Sequence, residues 1–179
     1  MNNKTLHSLD LSRSRVDDVS LLAEGLRNTC IRRLQLRSIG LQDRYAAILM
    51  SSLQSCPGLE SLDLSFNNIR CLSPIGKLLE CPNCNLRDLR LGYQNLWQMH
   101  TIDVTEISKA LAVNSRLRTL KLPRNELDDS SATKLNDALF QNSTLENLDL
   151  RDNDMSDLGV TLLAKAAMLS NGLRRLLVG

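Results

Sequence analysis

The sequence predicts an α/β solenoid in a single domain spanning 1–179, built of about six strand–turn–helix units. Three observations predict it. An eleven-residue pattern of apolar positions recurs six times. It reads LHSLDLSRSRV from Leu6, IRRLQLRSIGL from Ile31, LESLDLSFNNI from Leu59, LRDLRLGYQNL from Leu86, LRTLKLPRNEL from Leu117 and LENLDLRDNDM from Leu145. Behind the copies come stretches with apolar residues four apart, one helical stripe per unit. The copies start 25, 28, 27, 31, 28 and 28 residues apart, the last interval ending on a partial copy, LRRLLVG, at Leu173. Intervals near 28 leave room for a helix in every unit.

Within a copy, the fourth and sixth positions lie two apart and share one face of a strand, as Leu120 with Leu122 and Leu148 with Leu150. The residues around them face the other way. At the ninth position the chain turns inward, and an amide there bonds backbone that the loop would otherwise leave unsatisfied. Asn67, Asn125 and Asn153 hold that position and Gln94 replaces them in the fourth copy, whereas Ser14 and Ile39 predict a weaker polar ladder in the first two. The helices follow from Leu49 and Leu53, Ile107 and Leu111, Leu135 and Leu139, and Leu163 and Ala167. Asp128 and Ser156 stand where helices open, Pro74 stands where a missing N–H does least harm, and Asn142 and Gly172 stand where helices end.

The pattern resembles the leucine-rich repeat. Its interval near 28 and the segment CPNCNLRDLRL at 81–91 resemble the ribonuclease-inhibitor type, found also in cytosolic nucleotide-binding immune receptors and Ran GTPase-activating proteins. The resemblance spans nearly the whole chain. It implies a right-handed horseshoe arc with a parallel β-sheet on its concave face and α-helices on its convex face, and a scaffold for binding. On function it is nearly silent, because one fold serves many unrelated roles.

Composition narrows the classes. The 179 residues are 42% hydrophobic and 23% charged with net charge +2, which suits a continuous core and is too mild for a phosphate-driven nucleic-acid binder. No apolar run reaches the ~20 residues of a membrane span, and MNNKTLHSLD carries no secretory h-region. Cys30, Cys56, Cys71, Cys81 and Cys84 make an odd set without a disulfide framework. The expected compartment is therefore cytoplasmic. Cys81-x-x-Cys84 has no second ligand pair, so it reads as packing at the join between units, and His7 and His100 read as solvated surface histidines. No phosphate-cradling or nucleophile motif is present, so neither a cofactor, a metal nor a catalytic residue is assigned. Only five residues precede Leu6 and the chain stops in a strand, which reads as a fragment of a longer protein, with Leu173, Leu176 and Val178 able to self-associate end to end.

Candidate contacts come from the outward positions. The fifth positions are Asp10, Gln35, Asp63, Arg90, Lys121 and Asp149, with signs that alternate and suit a protein partner. Phe66 and Tyr93 hold the eighth position of neighbouring copies, and Trp97 follows in the extended fourth unit. Aromatics and Arg commonly dominate interfaces, so Arg37, Asp63, Phe66, Arg90, Tyr93, Trp97, Lys121, Arg124 and Asp149 form the expected protein-binding face and rim; mutual packing of Phe66 and Tyr93 is the competing account. The expected function is non-catalytic recognition of a folded protein. The alternatives are GTPase regulation of the Ran GTPase-activating type, which the resemblance allows without any matched residue, and a purely structural segment of a larger receptor or scaffold.

Overall fold

The computed structural model describes residues 5–94 and 102–179. In these residues, seven short strands lie side by side in chain order: β1 (Ser8–Asp10), β2 (Arg33–Gln35), β3 (Ser61–Asp63), β4 (Asp88–Arg90), β5 (Thr119–Lys121), β6 (Asn147–Asp149) and β7 (Arg175–Leu177). Every neighbouring pair is parallel and in one register, so Leu9, Leu34, Leu62, Leu89, Leu120, Leu148 and Leu176 form a single row. Six helices connect them: α1 (Val19–Leu26), α2 (Asp43–Leu53), α3 (Ser73–Glu80), α4 (Thr105–Val113), α5 (Asp129–Gln141) and α6 (Asp157–Leu169). This is the expected leucine-rich repeat α/β solenoid, with parallel strands on one side and helices on the other. Parallel strand–helix–strand crossovers are right-handed for steric reasons.

One continuous core runs through the units. The leucines of the first, fourth and sixth positions meet the helical stripes, and Leu34, Leu62, Leu89, Leu120 and Leu122 are fully buried. Burying each such side chain contributes roughly 1.5–3 kcal/mol. The helix boundaries have local causes. The Asp128 carboxylate accepts the Ser131 N–H at 2.8 Å and the Ser156 hydroxyl accepts that of Leu158 at 3.2 Å, so each caps the helix that follows it. Pro74 sits in the first turn of α3, and Asn142 caps the end of α5. The end of α6 departs from expectation, because Ser170 caps it. Gly172 serves the neighbouring unit instead: a Cβ there would lie 2.5 Å from the Ser143 carbonyl group.

Candidate functional site

Each strand ends in the same backbone device. The eighth residue of every copy (Arg13, Ser38, Phe66, Tyr93, Arg124 and Asp152) has a left-handed backbone with φ between 53° and 62°. A non-glycine residue in that region costs about 1–2 kcal/mol and persists where its surroundings over-determine it. Here a ladder of backbone hydrogen bonds does so. Phe66 N–H donates to Gly92 O at 2.9 Å, Tyr93 N–H to Pro123 O at 3.0 Å and Arg124 N–H to Arg151 O at 3.1 Å. Gly92 is required for the close approach, since a Cβ there would lie 2.8 Å from Pro123 Cγ. The residues at this position share no chemistry, so the sequence carries no signal for it.

The left-handed turn aligns side chains of successive units along the rim. Phe66 and Tyr93 stack with ring centroids 4.2 Å apart and planes 14° from parallel. The Arg37 guanidinium lies 5.1 Å over the outer face of Phe66, and that of Arg124 lies 5.2 Å over Tyr93. Arg37, Phe66, Tyr93 and Arg124 therefore form one four-membered stack. The competing account from sequence, mutual packing, describes the ring faces; both residues nevertheless remain half-exposed. Since the electron-rich faces are covered by guanidinium groups, the ring edges and the cations are what meets solvent. Trp97 lies outside the described residues.

Behind the rim runs the amide ladder expected from the ninth positions. Asn67 Oδ1 accepts the N–H groups of Ile39 and Leu41 at 3.1 and 3.0 Å, and its Nδ2 donates to Leu36 O and Leu64 O at 2.8 Å. Gln94 and Asn125 continue the series, Gln94 N–H donating to Asn125 Oδ1 at 2.9 Å, and Asn153 receives the N–H of Asn125 at 2.8 Å. The second copy has the buried Ile39 at this position and the first the exposed Ser14, so neither contributes an amide.

A second amide ladder, at the opposite ends of the strands, was missed by the sequence reading. Asn142 Nδ2 donates to Leu111 O at 2.6 Å and Asn114 O at 2.9 Å, while its Oδ1 accepts from Thr144 and Leu145 N–H at 2.9 and 2.7 Å. Asn114 donates to Leu79 O at 2.7 Å and accepts from Arg116 and Leu117 N–H. The signal was present as NSRL at 114–117 and NSTL at 142–145. In the third unit Cys56 takes this place, its thiol donating to Leu26 O at 2.8 Å. Burial pushes the Cys56 and Cys84 thiols up from the ordinary value. Cys81 is half-buried beside Cys84, and no cluster of His, Cys, Asp or Glu among the described residues is arranged to hold a metal.

On the sheet face several candidate charges are already engaged. Asp63 and Asp149, each 5% exposed, offer little surface to a partner. Their carboxylates accept the N–H of Ser65 at 2.9 Å and of Arg151 at 3.3 Å, holding the strand ends. Asp149 also takes a two-pronged pair from Arg151 at 2.9 and 2.8 Å, which holds its pKa below the ordinary value. Arg90 makes the same pair with Asp88 at 3.2 and 2.7 Å, which raises its own pKa. Arg124 pairs with Asp152 at 3.1 Å and Arg37 reaches Asp63 at 3.9 Å. Lys121, half-buried between Arg90 and Asp149 in the register, has no carboxylate within ion-pair distance among the described residues. Among the described residues, a depression of about 270 Å³ lies at the rim beside Arg37 and Phe66, and two more lie over the strands. One of about 420 Å³ lies between β2 and β4 beside Arg33, Arg87 and Arg90; the other, of about 290 Å³, lies between β4 and β7 beside Lys121, Asn147 and Arg175.

Comparison with known proteins agrees with this architecture. The leucine-rich repeat family model matches residues 2–23, 55–70 and 141–164. NACHT, LRR and PYD domains-containing protein 12 of Mus musculus is 34% identical over 137 residues, 72% of this chain and 12% of that protein. Ribonuclease inhibitor of Sus scrofa is 30% identical over 139 residues, 73% of this chain and 29% of that protein. The chain thus spans less than a third of the length of either relative. Among solved structures, the tropomodulin C-terminal domain of Caenorhabditis elegans shares the fold with a TM-score of 0.54 at 11% identity, covering 94% of this chain and 86% of that one.

Proposed function

Because this chain is a leucine-rich repeat solenoid of the ribonuclease-inhibitor type, we propose that it is a non-catalytic module that docks a folded protein on its sheet face and adjoining rim. Solenoids of this kind commonly present their curved sheet to protein partners. The observation that carries the reading is the Arg37–Phe66–Tyr93–Arg124 stack, half-exposed aromatics held by backbone that is itself locked between units. Such a surface needs little ordering when a partner arrives, so a few residues can dominate affinity. Pig ribonuclease inhibitor acts, by its name, on another protein, which favours a protein partner here.

Lys121 and the exposed edges of Phe66 and Tyr93 make the direct contacts. Arg37, Arg90 and Arg124 present the remaining N–H donors of guanidinium groups already oriented by Asp63, Asp88 and Asp152, and Asp149 holds Arg151 beside them. The five cysteines, all unpaired thiols, fit a reducing intracellular setting; no helix among the described residues is long and apolar enough to cross a membrane.

Affinity capture from a lysate of the source cells tests the proposal, using wild type and a Phe66→Ala/Tyr93→Ala variant whose circular dichroism matches. A protein retained by wild type and lost by the variant supports the rim as the docking site. Equal retention by both, or no retained protein at all, overturns it.

A further inference from the structure

The fifth-position signs alternate along the strands, but the fold adds the second, third and seventh positions to the same face, and the balance changes. In the first three units these rows carry Arg32, Arg33 and Arg37 against Asp10, Glu60 and Asp63. In the fourth to seventh they carry Arg87, Arg90, Arg118, Lys121, Arg151, Arg174 and Arg175 against Asp88, Glu146 and Asp149. One half of the face is neutral, then, and the other carries a net charge of +4, more than the +2 of the whole chain.

Internal pairs remove some of that charge from what a ligand meets. Asp88 holds Arg90, Asp149 holds Arg151, and Glu146 lies between Arg118 and Arg174 at 3.7 and 3.6 Å. Lys121 and Arg175 are the two cations beside the 290 Å³ depression with no such carboxylate among the described residues. They stand two strands apart on β5 and β7 and two residues out of register, since Arg175 lies opposite Thr119, roughly 12 Å at the backbone. Thr119 and Asn147 supply donors between them, and Leu148 and Leu177 line the same hollow.

We propose that the half of the sheet face formed by β4 to β7 binds an acidic peptide segment of the partner, its carboxylates received by Lys121 and Arg175. This rests on the protein-docking reading above and names the chemistry of what is docked. In an extended peptide, side chains two residues apart lie about 7 Å from one another on one face, and two flexible basic side chains close the remaining distance. Leu148 and Leu177 suit an apolar residue beside the carboxylates. A nucleic-acid strand fits less well: single strands need open aromatic faces for stacking, whereas both outer faces of the Phe66–Tyr93 pair are covered.

The test is a fluorescence-anisotropy titration with a labelled ten-residue peptide of alternating Glu and Ala. Its comparators are a Gln/Ala peptide and an oligothymidylate of equal charge. Lys121→Ala/Arg175→Ala is measured beside Lys77→Ala/Lys165→Ala, which removes the same charge from α3 and α6, with circular dichroism on both. The expected result is binding of the Glu peptide over the Gln peptide, weakened ten-fold or more by the sheet-face pair and less than two-fold by the helix pair. Lys121→Arg should retain most of it. Failure to prefer Glu over Gln, equal weakening by both pairs, or oligothymidylate binding as tightly as the peptide overturns the proposal. Phe66→Ala/Tyr93→Ala keeps the two readings apart, because it should abolish partner capture while leaving peptide affinity within two-fold.

Discussion

The two ends of the strands solve one problem in two ways. Upstream of the strands, Asn114 and Asn142 bond the loops between helix and strand and are almost wholly buried. Downstream, Asn67, Gln94, Asn125 and Asn153 do the same work, but the residue just before each amide is left-handed and turns its side chain outward. Both edges satisfy backbone groups that a solenoid would otherwise strand. Only the downstream edge also presents side chains in register. A binding rim is in that sense a by-product of how the chain leaves the sheet.

Removing an upstream amide should have the largest effect. Asn142→Ala deletes five hydrogen bonds and strands buried carbonyl and N–H groups, so a loss of about 3 kcal/mol is expected in urea unfolding. Among the described residues, Asn125→Ala deletes contacts to Leu91 O and Gln94 N–H, and should cost about 2 kcal/mol. Equal losses would mean that the number of bonds does not distinguish the edges.

Phe66→Ala/Tyr93→Ala sharpens the contrast. The stacked pair contributes about 0.5–1.5 kcal/mol, and Ala at two left-handed positions retains the backbone strain, so the unfolding free energy measured in urea should fall by about that amount while partner affinity falls at least ten-fold. A stability loss as large as that of Asn142→Ala would make the stack a structural element rather than a contact surface.

The smallest effect concerns acid. Asp149 has a pKa lowered first by Arg151, then by the Arg151 N–H. A lowered folded-state value contributes stability that is fully present above the unfolded aspartate value, about 3.9, and is lost as pH falls through the folded one. Arg151 is more than half exposed, so solvent screening keeps the contribution below about 1 kcal/mol. Wild type and Asp149→Asn should converge in stability as pH falls from 5 towards 2. A gap that stays constant over that range would show that the charge is not what Asp149 contributes.

The repeats, the strand positions, the helix caps Asp128, Ser156 and Asn142 and the downstream amides were legible in the sequence because each follows a local rule. The upstream amides were legible in principle, as N-S-x-L, but only two copies carry them, and Asn142 was accounted for as a helix end alone. The rim was read in part. Phe66 and Tyr93 stood out as scarce aromatics at equivalent positions, but their left-handed backbone had no residue-type signature, and the guanidinium lids came from Arg37 at the seventh position and Arg124 at the eighth, from units on opposite sides. Asp63 and Asp149 were read as surface charges because position parity says which face a residue takes and nothing about which N–H groups its carboxylate will meet.

By itself, then, the sequence determined the architecture: an apolar residue every second position and a stripe every fourth can be buried together only by strands and helices in alternation, and the repetition stacks them. The tertiary structure decided which outward residues share a surface. Stacking brings residues about 28 positions apart within one strand spacing, so a row's charge, a stack of rings or an engaged carboxylate exists only across units. A one-dimensional pattern does not record those pairings.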